Sequence, residues 1–170
     1  MSILNGKQAS KYVSGMINPD DQIQPCGIDL TLKTVADYAN CGSISTNNAT
    51  RILSTTVDLR WMTMWDGSEG GRVILDRGPY LITLNEIVDV PKDCMAMAFP
   101  RSSLLRCGVT VETAVWDPGY KGRSQCMMVV HHPEGFIIRK NAKVLQLVFV
   151  KLDEDAATLY DGIYQGENLH

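Results

Sequence analysis

The chain has 170 residues, 45% of them hydrophobic and 21% charged, with a formal net charge of −3. That length is enough to bury a proper core and short for two domains, so one domain over 1–170 is expected. The weak negative balance excludes the basic footprint of a nucleic-acid binder, and no apolar run approaches the ~18 residues of a membrane span.

The chain opens on Asn5 with Gln8 three positions later, the pattern of an N-capping box. Ala9, Tyr12, Val13 and Met16 follow at helical spacing before Gly15 and Pro19, which predicts one short amphipathic helix over about 5–16. Strand-like segments come next, around 27–33, 51–59, 72–75, 80–84, 94–99, 109–112, 125–131, 135–138 and 143–151, separated by Gly, Pro and Asn turns. The runs from Cys41 to Thr50 and from Asp66 to Gly71 read as loops rather than boundaries. Many short strands after one helix predict a mainly β fold, a jelly roll or distorted barrel. The segment 143–151 is apolar on both faces except for Gln146 and its terminal lysines, which predicts a buried strand.

The N-terminus lacks a signal-peptide core, and the five cysteines form no Cys-x-x-Cys pair. They read as small buried hydrophobes in a reducing interior, which argues against zinc and for a soluble, cytoplasmic protein. Trp61, Trp65 and Trp116 read as core or subunit-contact residues, and His131-His132 before Pro133 as a strand end.

Three polar stretches carry chemistry: Gly27-Ile28-Asp29-Leu30, Pro100-Arg101-Ser102-Ser103 and Asp117-Pro118-Gly119-Tyr120-Lys121-Gly122. Arg101 can fork two N–H bonds onto phosphate oxygens, and the hydroxyls of Ser102 and Ser103 add neutral donors, so the second stretch suits a phosphate clamp. Pro118-Gly119 favours a type II turn, which would hold the Asp117 carboxylate on a rigid corner. The ring of Tyr120 suits packing against a sugar face with no room for a 2′-hydroxyl. Any one of these stretches equally fits a turn, a cap or a solvated loop; their co-occurrence carries the reading.

These motifs, in this order, with the strand Val144-Leu145-Gln146-Leu147-Val148 after them, resemble the trimeric dUTPases and the related dCTP deaminases. Gln22-Ile23-Gln24-Pro25 and the ending Tyr164-Gln165-Gly166-Glu167 are similar to the deaminase branch. The resemblance implies a homotrimer with sites at subunit boundaries and a Mg²⁺ on the substrate's phosphates, held by Asp29 through a water molecule. It implies that Asp117 orients the attacking water and holds the 3′-hydroxyl, while Arg101, Ser102, Ser103 and Gln146 bind phosphate. It also implies a uracil site on backbone groups of the hairpin from Val111 through Thr113 to Val115, with Arg106 lining the pocket or bracing the clamp. Tyr164 and Gln165 would close a C-terminal lid, over about 158–170.

The two activities part at one position. Deaminases place a proton-shuttling Glu ten residues beyond the turn Asp, where this chain has Met127. A thioether moves no proton, and loss of a general acid–base costs about 10²–10⁴-fold, so hydrolysis of dUTP to dUMP and pyrophosphate is expected in place of deamination. The chain departs from the dUTPase pattern at Arg123, where an acid is usual, and in lacking a Gly-rich tail. A dCTP deaminase, a bifunctional enzyme and a non-catalytic nucleotide-binding trimer are the alternatives.

Overall fold

The computed structural model describes residues 2–63 and 71–169. Trp65 and the loop positions Asp66 to Gly70 lie outside the described residues.

In chain order, strand β1 (Ser2–Ile3) leads into α1 (Gly6–Ala9), β2 (Val13–Ser14), α2 (Pro19–Gln22), β3 (Ile23–Gln24) and the long β4 (Gly27–Tyr38). Then follow β5 (Thr56–Asp58), β6 (Arg72–Leu75), β7 (Gly78–Leu84), β8 (Ile87–Asp89) and β9 (Cys94–Pro100). Helix α3 (Ser102–Arg106) precedes β10 (Val109–Glu112), β11 (Lys121–Gly122), β12 (Gln125–Val130), β13 (Phe136–Arg139) and β14 (Lys143–Lys151).

The fold is mainly β, as expected. One sheet runs β1-β14-β4-β7-β12-β10, with β3 and β5 on β4 and β9 on β14. Register shifts between Lys143 and Leu145 and between Leu32 and Thr34 mark irregularities in the ladders of β4. Such bulges bend a strand and sharpen its twist, which suits a sheet curled into a half-barrel. The smaller sheets β11-β8-β2 and β13-β6 flank it.

Strand β14 lies between β9 and β4, with Leu145, Leu147 and Phe149 fully buried. Burial of each such side chain contributes about 1.5–3 kcal/mol, so this strand anchors the core. Gly27 is glycine because a Cβ there would lie 2.1 Å from the Leu147 carbonyl oxygen. That contact sets how closely β4 approaches β14, and hence where Asp29 stands.

The N-terminal helix is shorter than expected. The capping box is present, with the Gln8 N–H donating to Asn5 Oδ1 at 3.0 Å and the Asn5 N–H to Gln8 Oε1 at 3.1 Å. After Ala9 the chain tightens into a 3₁₀ turn over Ser10–Tyr12, and Val13 pairs with Val88 as a strand. β-Branched Val13 before Gly15 at φ +75° ends the helical run and puts Ala9, Tyr12 and Val13 on the core. The expected strand over 51–59 contracts to Thr56–Asp58.

The cysteines divide. Cys94 and Cys126 are buried, where desolvation pushes their thiols up to about 11 and about 12, but Cys26, Cys41 and Cys107 are exposed. These three fall in loops and at a helix end, where the chain has no core to offer, so the expectation of buried thiols fails for them.

Candidate functional site

The residues singled out by sequence form two clusters in one chain. The first centres on β4 and β14. Asp29 is the cross-strand partner of Gln146, which in turn faces Phe99 on β9. The Arg101 backbone N–H donates to the Val144 carbonyl at 3.1 Å, which fixes the start of α3 beside that ladder. From there the Arg101 guanidinium reaches the Asp29 carboxylate in an ion pair.

Asp29 is only 2% exposed, and burial raises its carboxyl above the ordinary range against the opposing pull of Arg101 and Lys143. Arg101 keeps about a third of its side chain in solvent, and one carboxylate does not exhaust the five N–H donors of a guanidinium. It can brace Asp29 and still present N–H groups outward. Ser102 and Ser103 stand exposed on the first turn of α3, held by the buried Leu104, and Arg106 is exposed on its last turn. The clamp is therefore a short helix, which sequence reading took for a loop; Ser-Ser-Leu-Leu-Arg, free of glycine, was the available signal.

A carbonyl behind Asp29 is held as well. Gln22 Nε2 donates to the Asp29 backbone oxygen at 2.7 Å and to Glu86 Oε1 at 2.7 Å. Glu86, wholly buried, also accepts from the Thr31 N–H at 2.8 Å and the Thr31 hydroxyl at 2.6 Å. Burial pushes its carboxyl up, and the three donors only partly oppose that. Glu86 was not foreseen, because Asn85-Glu86 reads as a polar turn and its partners lie more than 50 residues away.

The second cluster surrounds a cavity of about 730 Å³ whose walls include Asp117, Tyr120, Ser124, Tyr160, Tyr164 and Glu167. Asp117 sits on the expected turn: the Tyr120 N–H donates to its carbonyl at 3.1 Å and Gly119 takes φ +85°. The turn is clamped to the end of β8, with Gly119 N–H to the Val90 carbonyl at 2.9 Å and Val90 N–H to the Tyr120 carbonyl at 2.8 Å. Tyr120 is 5% exposed, and its hydroxyl meets Ser124 Oγ at 3.0 Å and donates to Glu167 Oε1 at 2.7 Å. Burial raises both the Tyr120 phenol and the Glu167 carboxyl. Trp116 is a core residue whose indole donates to Ser124 Oγ at 2.6 Å, and Trp61 packs partly buried against the core.

The C-terminal segment lies against this turn. Tyr160 N–H donates to the Pro118 carbonyl at 2.8 Å, and Tyr160 meets Tyr120 edge-on with centroids 5.7 Å apart. Gln165, expected as a substrate contact, instead bridges the turn, accepting from the Lys121 N–H and donating to the Gly119 carbonyl, both at 2.8 Å. Tyr164 lines the cavity.

The two clusters are apart along β9: Trp116 bridges Ala96, whereas Gln146 pairs with Phe99. Between them, Val111 is buried opposite Met128, and the Thr113 hydroxyl donates to the Ala98 carbonyl at 3.5 Å. Met127 is half-buried on β12, paired with Leu81 on one side and with the exposed Glu112 on the other.

Among the described residues no three His, Cys, Asp or Glu side chains gather as a metal centre. The Asp29 carboxylate is a hard oxygen donor, buried and paired with Arg101 rather than gathered with other acids. That fits a cation such as Mg²⁺, which keeps most of its waters and takes its other oxygens from a substrate's phosphates.

The dCTP deaminase-like family model matches residues 3–152. A protein of Methanococcoides burtonii named probable deoxyuridine 5′-triphosphate nucleotidohydrolase is 45% identical over 157 residues, covering 92% of this chain and 89% of its own. The Methanocaldococcus jannaschii protein named deoxyuridine 5′-triphosphate nucleotidohydrolase is 36% identical over 147 residues, 86% of this chain and 89% of its own. Among solved structures, the 2′-deoxycytidine 5′-triphosphate deaminase from Agrobacterium tumefaciens superimposes with a TM-score of 0.63 at 23% identity. That match covers 86% of this chain and 48% of the deaminase, so the chain spans about half of it and the likeness is one of fold.

Proposed function

Because the chain belongs to the dCTP deaminase-like family, and its relatives at 36% and 45% identity are named dUTP nucleotidohydrolases, we infer that it hydrolyses dUTP to dUMP and pyrophosphate. The observation that carries this reading is Asp117 on a clamped turn at the wall of the cavity of about 730 Å³, with Met127 on β12 where the deaminases, by likeness, carry an acid.

The residues divide the work as follows. Asp117 takes a proton from water attacking the α-phosphorus and orients that water by its fixed corner. The Tyr120 ring forms the wall on which the deoxyribose packs. Arg101, Ser102, Ser103 and Gln146 hold phosphate oxygens, the guanidinium offsetting the charge of the leaving pyrophosphate. Mg²⁺, when bound with the triphosphate, would be held by Asp29 through water and would neutralise phosphate charge. Backbone groups near Val111 and Thr113 read the base, with Arg106 beside the clamp and Tyr164 over the cavity. The reaction belongs to the cytoplasmic nucleotide pool.

The likeness to the trimeric dUTPases supports a homotrimer in which the cavity of one copy meets the Arg101 cluster of another. Light scattering is expected to give three times the 18.8 kDa chain mass, and a monomer at working concentration would overturn the shared site.

The activity is tested by incubating the full chain with dUTP, dCTP, dTTP or UTP and Mg²⁺, reading pyrophosphate and ammonia together. Pyrophosphate from dUTP without ammonia from dCTP is expected. Ammonia from dCTP would restore the deaminase, and tight dUTP binding with no turnover the non-catalytic trimer.

A further inference from the structure

Arg123 is where this chain departs from the dUTPase pattern, and nothing in the proposed chemistry uses it. It has a dense set of partners. Its guanidinium donates to two backbone carbonyls, Asn168 at 3.0 Å through Nε and Asn85 through Nη1. Its backbone N–H donates to the Glu167 carbonyl at 3.0 Å, and its own carbonyl accepts from Asn168 Nδ2 at 3.1 Å. Gly166 N–H to the Lys121 carbonyl at 2.8 Å continues the same ladder. One side chain thus joins the C-terminal turn to the start of β12 and to the turn after β7.

Both ends of this tie lead to site residues. On the tail side the adjacent residue, Glu167, reaches into the cavity and takes the Tyr120 hydroxyl at 2.7 Å. On the other side Asn85 is fixed to β4: its amide donates to the Thr31 hydroxyl at 3.0 Å and to the Leu32 carbonyl at 3.2 Å, two and three residues from Asp29. A guanidinium suits this place because its planar fork can span two carbonyls, which a lysine ammonium on a flexible stem does far less well.

We propose that Arg123 is a positioning residue that fastens the C-terminal turn over the Asp117 cavity, so that Glu167 holds the Tyr120 ring as the wall of the nucleoside site. This rests on the dUTP reading of that cavity and adds the element that makes it selective. An acid at position 123 would repel the Asn85 and Asn168 carbonyls that the guanidinium now joins, so a chain with the usual acid has to hold its tail otherwise.

The test is a double-mutant cycle on the full-length protein with Arg123→Ala, Glu167→Ala and the pair. In each single variant KM for dUTP is expected to rise about tenfold with kcat within about threefold, as for a lost contribution to uniform binding, and UTP is expected to gain relative to dUTP. Because both residues act along one path, the pair is expected to match the single variants; effects that multiply would overturn the proposal, as would a fall in kcat at unchanged KM. Hydrogen exchange gives a reading that needs no substrate. The amides of Arg123 and Gly166 are protected by the tail ladder, and Arg123→Ala is expected to speed the exchange of both by about tenfold or more while the β14 amides stay slow. Unchanged protection would overturn the anchoring even with altered kinetics. Should Arg123→Ala not fold, Arg123→Lys is read the same way, since it keeps a charge but spans only one carbonyl. A wild-type protein that leaves dUTP intact yet shows the tail exchange effect would cost the dUTP reading and leave the anchor standing.

Discussion

Asp117→Asn is expected to lower kcat for dUTP by about 10²–10⁴-fold while KM stays within about threefold. The amide keeps the shape of the carboxylate and its place on the corner but cannot accept the proton of the attacking water. The turn itself should survive. It is held by Tyr120 N–H to the Asp117 carbonyl, the pair of bonds with Val90, Tyr160 N–H to the Pro118 carbonyl and the Gln165 amide, none of which involves the Asp117 side chain. A fall in kcat at constant KM would show an interaction made in the transition state; a KM change at constant kcat would assign Asp117 to ground-state binding of the 3′-hydroxyl instead. Hydrolysis within twofold of wild type would remove it from the chemistry. Steady-state rates by pyrophosphate release, with a thermal melt to confirm folding, separate these outcomes.

How far such assignments could be read from sequence depended on the range of the contact involved. Features closed within a few residues were legible. The Asn5 and Gln8 box, the Pro118-Gly119 turn with its left-handed glycine, and the strands β9, β12 and β14 each stand close to where local pattern placed them, and β4 starts at the expected Gly27 but runs on to Tyr38. The pairing of Asp29 with Arg101 was legible only as a likeness of motifs, since the two lie 72 positions apart and meet because β14 brings them together. The buried bonds of Glu86 and Gln22, and the tie of Arg123 and Glu167, carry no local signature beyond membership of a motif. Each side chain reads as a solvated polar residue until the fold supplies its partner. The helix at Ser102–Arg106 escaped for a different reason: at five residues it is too short to show a period, and Leu104 alone marks its buried side. Gln165 was placed by likeness of the tail motif, while its bonds to Lys121 and Gly119 are supplied by the fold.

The largest stability effect is expected at Glu86. Replacing it with leucine leaves the Thr31 N–H and hydroxyl, and one of the two bonds of the Gln22 amide, without an acceptor in a site closed to water. Each buried donor left unpaired costs about 1–3 kcal/mol, so a loss of about 3–5 kcal/mol is expected, in the range that marks a broken buried network. Glu86→Gln keeps the shape but sets an NH₂ against a donor, and about 1–3 kcal/mol is expected. The two variants also differ from wild type in pH dependence. Burial raises the Glu86 carboxyl above its ordinary value of 4.5, so in the window just above 4.5 the folded protein keeps a proton that the unfolded chain has released. Stability therefore falls as pH rises through that window and levels off once the folded carboxyl has ionised. Asp29 and Glu167, raised for the same reason, contribute in the same direction and remain in the variants. Urea unfolding from pH 4.5 upward should therefore show a shallower fall in Glu86→Gln than in wild type. Equal slopes would mean that Glu86 is ionised throughout, and that its three donors outweigh the cost of burying its charge.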